Sequence, residues 1–183
     1  MRSVAVESLL KDLQIESVSG NLPRKVNGIT QDSRLVEADY IFAARSGASA
    51  LGTDFISQAA ERGAVLVVTD RELDEPQPLP VVRVVDFRSS LRTLSRAIYR
   101  DPTSKLKLIG VTGTNGKTTS VHLIRSIIEA AGEKCGLLST TGYDTVRHQI
   151  DAALTTPDID RLNALLREMV DAGCRWAVME VSS

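Results

Sequence analysis

One short stretch of the chain, residues 110–119, combines glycines, a lysine and hydroxyl side chains in the order GVTGTNGKTT. Gly113 and Gly116 would let the backbone turn tightly and approach phosphate oxygens. The amides that follow would point at the anion from the positive end of a helix dipole. Lys117 would place a positive charge near the β- and γ-phosphates, and the hydroxyl of Thr118 can bind Mg²⁺. The stretch therefore predicts a phosphate-binding loop.

The spacing of this loop departs from the commonest phosphate-loop pattern. That pattern, Gly-x-x-x-x-Gly-Lys-Thr, requires a glycine where this chain has Val111. An apolar run at 106–111 precedes the loop and a helical pattern at 120–131 follows it, which is the context that phosphate binding needs. This context disfavours the alternative, a helix-starting turn that carries glycine, lysine and threonine without binding phosphate.

Two further segments carry polar side chains next to apolar elements. Glu180 lies at the end of the apolar run 175–181, where it could bind Mg²⁺ beside the loop. A solvated acid at a strand end would show the same pattern. Thr155 and Thr156 precede Pro157 at a predicted helix start, so they either bind a sugar or phosphate or cap the helix.

Other polar residues give weaker signals. The cluster at 32–34, Asp-Ser-Arg, follows a predicted strand, and the formation of a turn explains it equally well. We interpret His122 as a packed or surface residue and His148 as a solvated one. Cys135 and Cys174 are far apart in sequence, and we expect buried free thiols in a reducing cytosol rather than a disulfide or a metal site.

Length and composition restrict the class of protein. The chain has 183 residues, of which 43% are hydrophobic and only 4% aromatic, so a core of Val, Leu, Ile and Ala can form in one large or two small domains. A net charge of −1 gives no electrostatic reason to expect nucleic acid or a membrane surface as a partner. No window reaches the ~18 apolar residues of a membrane span, and the early Glu7 disfavours a signal peptide.

Strands and helices are predicted to alternate along the chain. Apolar runs predict strands at 26–30, 40–44, 64–69, 81–85, 106–111, 135–141 and 175–181. Helical spacing predicts helices at 4–13, 55–62, 89–99, 120–131 and 159–170, with a loop of small residues at 46–52 and a hairpin or irregular segment at 143–153. The alternation predicts an α/β fold with parallel sheets, which bind ligands beyond the carboxyl ends of their strands. Pro102 in the segment 100–104 predicts a domain boundary near residue 101.

Taken together, these segments resemble the Mur ligases, the ATP-dependent amide-bond-forming enzymes of peptidoglycan synthesis. Residues 110–119 match the family's ATP loop throughout, including the absence of glycine at 111. The segments 28–34 (GITQDSR) and 40–43 (YIFA), with Gly47, are similar to the family's N-terminal uridine-binding domain. The segments 154–158 (LTTPD) and 179–183 (MEVSS) are similar to the members that add the third amino acid, rather than to those that add D-Ala-D-Ala.

The resemblance implies a function for the protein and a role for each part of the chain. It implies a cytoplasmic ligase that adds meso-diaminopimelate or L-lysine to UDP-MurNAc-L-Ala-D-Glu through an acyl phosphate, with ATP and Mg²⁺. Residues 1–100 would be the small α/β domain that binds UDP-MurNAc, and residues 101–183 the first part of the parallel-sheet ATP-binding domain. The expected partners are this nucleotide-linked substrate and an amino acid, with neither nucleic acid nor membrane.

The resemblance also assigns individual site residues, position by position. The ATP phosphates would be bound by Gly113, Thr114, Asn115, Gly116, Lys117, Thr118 and Thr119, with Lys117 as the catalytic residue. The Mg²⁺ ligands would be Thr118 and Glu180. The uridine diphosphate would be contacted by Gln31, Ser33, Gly47, Ala48 and Ser49, and the muramoyl part by Thr155, Thr156 and Ser182.

The chain departs from the family pattern at three places. Residues 37–39 are Glu-Ala-Asp where the family usually has Pro-Gly-Asp, and residues 51–52 are Leu-Gly where it has Asp-Gly. The family continues after Glu-Val-Ser-Ser with a histidine, the rest of the ATP-binding domain and a domain for the incoming amino acid. We therefore expect a fragment that cannot ligate alone. A nucleotide or UDP-sugar binding module without catalysis, and another kind of Mur ligase, remain open alternatives.

Overall fold

The computed structural model describes residues 3–45, 52–73 and 75–182. The chain divides into two compact units, Met1–Ile98 and Tyr99–Ser183. The predicted loop at 46–52, apart from Gly52, and the proposed ligands Gly47, Ala48 and Ser49 lie outside the described residues. The longest helix described has 14 residues, and none of the described helices is long and apolar enough to cross a bilayer.

The first unit is built on a mostly parallel five-stranded sheet. The strands of this unit are β1 (Val4–Ala5), β2 (Ile15–Ser19), β3 (Lys25–Val26), β4 (Gly28–Thr30), β5 (Tyr40–Ala43), β6 (Ala64–Thr69) and β7 (Val81–Val84). Its helices are α1 (Val6–Leu10), α2 (Ile56–Glu61) and α3 (Phe87–Ile98), with 3₁₀ turns at Ser33–Leu35 and Gly52–Phe55. The sheet order is β2-β7-β6-β5-β4, in which β4 to β7 are parallel and β2 is antiparallel to β7, while β1 pairs with β3 separately.

Continuous apolar runs form the centre of this sheet. All four residues of β5 and five of the six residues of β6 are buried. Such strands are typical of a parallel sheet that is covered on both faces. Because β4, β5 and β6 are parallel, their carboxyl ends lie at one edge of the sheet. The Ser33–Leu35 turn follows β4 at this edge.

The second unit carries another five-stranded sheet. Its elements are β8 (Lys107–Val111), α4 (Lys117–Ala130), β9 (Cys135–Ser139), β10 (Gly142–Asp144), β11 (Gln149–Ile150), α5 (Ile159–Asp171) and β12 (Trp176–Glu180), with a 3₁₀ turn at Pro102–Ser104. The sheet order is β11-β10-β9-β12-β8. Strands β9, β12 and β8 are parallel, whereas β10 and β11 form an antiparallel hairpin. The carboxyl ends of the three parallel strands therefore share one edge.

Two hydrophobic clusters cover the faces of this second sheet. Leu137 and Val178 pack with Val121 of α4, whereas Leu138 packs with Leu165 of α5. Neighbouring residues of one strand point to opposite faces, so β9 contributes to both clusters. This arrangement holds α4 and its preceding loop against one face of the sheet and α5 against the other.

Most predicted elements are confirmed, and the exceptions have local causes. The N-terminal helix was predicted too long, because residues 4–5 pair with residues 25–26 as a strand and leave only Val6–Leu10 helical. Strand β2 was not predicted, since four of its five side chains are exposed and its sequence, IESVS, is largely polar. The segment 143–153 contains the hairpin, which was one of the two expected forms.

The structure shows the surroundings of the single histidines and cysteines. Both Cys135 and Cys174 are free and buried, as expected, and burial raises the pKa of the Cys135 thiol to about 11. His148 is exposed, as expected, and its Nδ1 also contacts the Glu168 carboxylate of α5, which the sequence did not predict. His122 is exposed and its Nε2 lies 3.0 Å from the Thr141 hydroxyl, which agrees with a surface residue.

The hairpin is linked to α4 by an ion pair whose strength we expect to depend on pH. The Asp144 carboxylate lies 2.8 Å from the Arg125 guanidinium and accepts the Val146 amide at 2.7 Å. Burial acts to raise the pKa of Asp144, but these hydrogen bonds outweigh it and hold the pKa below the ordinary value of 3.8. The stabilisation is therefore present at neutral pH and is lost as the pH falls through this lowered pKa.

Replacing Asp144 by asparagine is thus expected to destabilise the second unit by about 1–2 kcal/mol at pH 7 and by much less near pH 2. Urea unfolding at the two pH values, followed by the fluorescence of Trp176, the single tryptophan, measures the difference. Asp151→Asn, which changes an exposed acid close to the same hairpin, is the matched control. An equal loss of stability at both pH values would contradict the ion-pair explanation.

Candidate active site

The predicted phosphate loop connects β8 to α4 in the structure. It spans residues 112–116, and Gly116 is the N-cap of α4. The φ angles of Gly113 and Gly116 are +140° and +79°, which are conformations that residues with a Cβ rarely adopt. A Cβ built on Gly116 would meet no atom within 4 Å, so the backbone conformation rather than crowding favours glycine there. The strand–loop–helix prediction is confirmed.

Lys117 lies at the first position of α4 and reaches back over the loop. Its Nζ donates to the Gly113 carbonyl oxygen at 2.6 Å. The first amides of a helix lack intrahelical acceptors, and the helix dipole adds partial positive charge at the same end. The ammonium group and these amides therefore concentrate positive potential around the loop, as phosphate binding requires.

Glu180 lies beside the loop at the end of β12, with only 1% of its surface exposed. Its Oε1 accepts hydrogen bonds from the Thr118 hydroxyl at 3.0 Å, the Ser139 hydroxyl at 2.7 Å and the Thr140 amide at 3.0 Å. The Thr140 hydroxyl also lies 3.2 Å from it. The carboxylate therefore joins the start of α4, the end of β9 and the end of β12, and the predicted proximity of Glu180 to the loop is confirmed.

The surroundings of Glu180 favour its charged form. Burial acts to raise the pKa of this carboxyl, but the hydrogen bonds from Ser139, Thr140 and Thr118 outweigh it and lower the pKa below the ordinary value. Because Thr118 uses its proton for Glu180, the lone pairs of its oxygen stay available to a cation. A carboxylate and a hydroxyl oxygen are hard ligands that suit Mg²⁺.

The side chains alone would form only part of a cation site. No group of three or more His, Cys, Asp or Glu side chains that could hold a metal occurs among residues 3–45, 52–73 and 75–182. Mg²⁺ commonly takes one or two protein ligands and completes its octahedron with water and substrate phosphates. Thr118 and Glu180 next to a phosphate loop fit that type of site.

Thr156 and Ser182 meet beside the Glu180 backbone carbonyl. The Thr156 hydroxyl donates to the Glu180 carbonyl oxygen at 3.1 Å and accepts the Ser182 amide at 2.9 Å. The hydroxyls of Thr156 and Ser182 lie 3.0 Å apart. Helix α5 has Asp158 as its N-cap, so the alternative that Thr156 caps this helix was wrong. Thr155 is half-buried in the same segment.

The predicted uridine-site residues of the first unit follow β4. Ser33 is buried, and its hydroxyl donates to Gln58 Oε1 of α2 at 2.5 Å. The Asp32 carboxylate accepts from the amide and guanidinium of Arg34, and the side-chain hydrogen bond of Arg34 lowers the pKa of Asp32. Asp32 and Arg34 therefore form the turn that was one interpretation of the cluster. Gln31 is half-buried next to them.

Four residues of these two regions were not singled out from the sequence. Ser139 and Thr140 hold the Glu180 carboxylate, Gln58 accepts from Ser33, and Tyr143 contacts the segment before Thr155. For Ser139 and Thr140 a signal existed, since residues 139–141, Ser-Thr-Thr, place three hydroxyl side chains together at the end of a buried strand. For Gln58 and Tyr143 no local pattern indicates the partner.

Comparisons with known proteins decide the family. Residues 25–99 match the family model described as "Mur ligase family, catalytic domain", and residues 111–183 match "Mur ligase middle domain". The chain belongs to the Mur ligase family. The range 25–99 lies in the first unit except for Tyr99, and the range 111–183 lies in the second unit. Both units of this Mur ligase chain therefore carry family sequence.

Its relatives include UDP-N-acetylmuramoyl-L-alanyl-D-glutamate–2,6-diaminopimelate ligases from several bacteria. The enzyme of Clostridium perfringens is 39% identical over 97% of this chain, that of Geobacter sulfurreducens 38% over 97%, and that of Cytophaga hutchinsonii 40% over 97%. The chain spans 37%, 35% and 37% of the length of these three relatives.

Solved structures of Mur ligases share the fold. A UDP-N-acetylmuramoyl-L-alanyl-D-glutamate–2,6-diaminopimelate ligase is 25% identical and superposes with a TM-score of 0.73 over 99% of this chain and 36% of its own. MurF from Acinetobacter baumannii, at 21% identity, superposes with a TM-score of 0.68 over 100% of this chain and 36% of its own. The α/β architecture expected from the sequence is thereby confirmed.

Proposed function

We propose that this chain provides the UDP-muramoyl-peptide and ATP-phosphate sites of a cytoplasmic ligase that adds the third amino acid to UDP-MurNAc-L-Ala-D-Glu. The observation that carries the proposal is the position of Glu180. Its carboxylate contacts Thr118 of the phosphate loop, and its backbone carbonyl contacts Thr156 of the proposed muramoyl segment. One residue therefore joins the part that would bind ATP to the part that would bind the substrate.

The phosphate loop would bind and polarise ATP in this reaction. Residues Gly113, Thr114, Asn115, Gly116 and Thr119 would present backbone amides or a hydroxyl to the phosphates. Lys117, now bonded to the Gly113 carbonyl, would exchange this neutral acceptor for a phosphate oxygen. Such sites gain most of their rate acceleration by stabilising the charge on the transferred phosphoryl group in this way.

Thr118 and Glu180 would hold Mg²⁺ next to the loop. When bound, Mg²⁺ would neutralise negative charge on the phosphate oxygens of ATP. Ser139 and Thr140 keep the Glu180 side chain in one orientation through their hydrogen bonds to Oε1. The protein would thus keep its carboxylate ready for the cation without a rearrangement.

Each unit would contact a different part of the substrate. Gln31 and Ser33, with Gly47, Ala48 and Ser49, would contact the uridine diphosphate, and Thr155, Thr156 and Ser182 the muramoyl part. These roles correspond to a UDP-MurNAc-binding domain at 1–100 and the first part of an ATP-binding domain at 101–183.

The proposed reaction proceeds in two steps. The substrate carboxylate attacks the γ-phosphorus of ATP, and ADP leaves. The incoming amine then displaces phosphate from the acyl carbon. The relatives are named for 2,6-diaminopimelate, which supports this amino acid over L-lysine.

Titration of the chain with UDP-MurNAc-L-Ala-D-Glu and with UDP-glucose tests the substrate assignment. We expect the muramoyl ligand to bind more tightly than UDP-glucose, and Ser33→Ala to weaken its binding by roughly 5- to 20-fold, as the loss of one buried hydrogen-bonding group would. Ser95→Ala is the matched control, because Ser95 is also buried but its hydroxyl has no hydrogen-bond partner in the described part of the chain. Equal affinities for both ligands, or equal binding by wild type and Ser33→Ala, would count against the proposal.

A further inference from the structure

The hydroxyl of Tyr143 is bonded to the backbone of the segment that leads into Thr155 and Thr156. We propose that Tyr143 is a positioning residue, which holds this segment in the shape that binds the muramoyl-peptide part of the ligand. The inference deepens the proposed function and rests on it, because it concerns how the same substrate is held.

Two hydrogen bonds join the Tyr143 phenol to a single residue. The hydroxyl donates to the Leu154 carbonyl oxygen at 2.5 Å and accepts from the Leu154 amide at 3.2 Å. These two contacts use the donor and one acceptor position of the phenol and both polar groups of the Leu154 backbone. The peptide planes on either side of Leu154 are therefore held by one side chain.

The ring of Tyr143 is itself held firmly. Tyr143 lies on β10, opposite Leu138 of β9 and Ile150 of β11, and only 3% of its surface is exposed. It packs in the cluster that includes Leu165 and Met169 of α5. A side chain in a close-packed core transmits its position to what it binds, so Leu154 is located relative to the sheet and not only relative to its chain neighbours.

The segment is fixed at a second point two residues later. The Thr156 hydroxyl is engaged with the Glu180 carbonyl and the Ser182 amide. Thr155, between the two anchored residues, is half-buried and makes no side-chain hydrogen bond to the described parts of the chain. Its hydroxyl is thus the one in this segment that remains available to a ligand, in a position set by Tyr143 on one side and Thr156 on the other.

The turn between β9 and β10 holds the proposed cation ligand. Ser139 ends β9 and Thr140 follows it in the turn that leads into β10, the strand that carries Tyr143, and both bond to Glu180. A displacement of Leu154 relative to this turn would therefore alter the distance between the muramoyl segment and Glu180. The positioning role of Tyr143 follows from its place between these two groups.

Binding measurements on Tyr143→Phe test this role, using the ratio of two affinities. The ratio is the affinity for UDP-MurNAc-L-Ala-D-Glu divided by the affinity for UDP, so it reports only on contacts beyond the nucleotide. We expect the ratio to fall by roughly 5- to 20-fold in Tyr143→Phe, because the Leu154 amide and carbonyl lose their partner. The affinities for UDP and for Mg·ADP should stay within about twofold of wild type. Tyr40→Phe, which removes another buried phenol hydroxyl, bonded to Glu37 at 3.3 Å, should leave the ratio unchanged.

The possible outcomes separate the inference from the proposed function. An unchanged ratio in Tyr143→Phe, or a common fall in the affinities for all three ligands, would overturn the positioning role, since the phenol would then serve the core alone. A wild-type chain that binds UDP as tightly as the muramoyl ligand would contradict the proposed function and the inference together. Hydrogen exchange of the Leu154 amide in the wild type gives a second test that needs no variant. The muramoyl ligand should slow this exchange more than UDP does, and equal exchange with both ligands would also overturn the inference.

Discussion

Lys117→Ala is expected to weaken the binding of Mg·ADP to this chain by roughly 10- to 100-fold, the effect of losing a hydrogen bond to a charged group. The Lys117 ammonium lies at the start of α4 and is already directed over the loop by its bond to the Gly113 carbonyl. A phosphate oxygen is an anionic acceptor and would replace this neutral carbonyl. Isothermal titration calorimetry measures the affinity directly.

Lys107→Ala is the matched control for this variant. Lys107 starts the same strand, β8, that leads into the loop, and its ammonium lies 4.6 Å from the centre of the Trp176 ring. Removing it deletes the same side chain and charge at the opposite end of β8, so we expect the affinity for Mg·ADP to stay within about threefold of wild type. Equal losses in Lys107→Ala and Lys117→Ala would contradict the assignment of Lys117 to the phosphates.

Glu180→Gln is expected to abolish most of the gain in nucleotide affinity that Mg²⁺ provides. The amide keeps the size of the carboxylate but removes the charge that Thr118, Ser139 and Thr140 now stabilise at Oε1. We expect the ratio of the ADP affinities with Mg²⁺ and with a chelator to fall about 10-fold or more, the usual cost of losing a hydrogen-bonded charge at a site. The affinity without metal should change little.

Glu129→Gln provides the control for the metal dependence. Glu129 lies near the end of α4, far along the helix from the loop, and pairs with Arg125 at 2.7 Å. The substitution removes one carboxylate charge from the same unit without touching the site. The ratio of the ADP affinities with Mg²⁺ and with a chelator should therefore be that of wild type. If Glu180→Gln kept the wild-type ratio, the cation would have to be bound by other groups. Thermal unfolding of both variants shows whether the assays report on folded protein.

Elements that depend on neighbours in sequence were predictable. The phosphate loop needs glycines, a lysine and a hydroxyl in consecutive positions, so its residues and its place between a strand and a helix could be predicted from their order alone. The buried strand β6 has an unbroken apolar sequence, and the observed Ala64–Thr69 agrees with the predicted range. Helix α5 likewise follows from apolar residues at helical spacing.

Contacts between distant segments were not predictable from local patterns. The Glu180 carboxylate is bonded to residues 40, 41 and 62 positions away, and Tyr143 bonds to a residue 11 positions away across an irregular segment. Ser33 meets Gln58 25 positions later because α2 packs beside the turn that follows β4. The contact between His148 and Glu168 was not predicted for the same reason, since Glu168 is on α5.

The amino-acid sequence by itself determined the phosphate loop, the alternation of strands and helices, and the resemblance to the Mur ligases, because each of these depends on residue types at short and regular spacing. The tertiary structure decided how the loop acquires its surroundings. The order β9-β12-β8 places the ends of three parallel strands at one edge, where Ser139, Thr140 and Thr118 converge on the Glu180 carboxylate and Thr156 on its carbonyl. Strand order is set by the burial of apolar faces against α4 and α5, and no local pattern encodes which strands become neighbours.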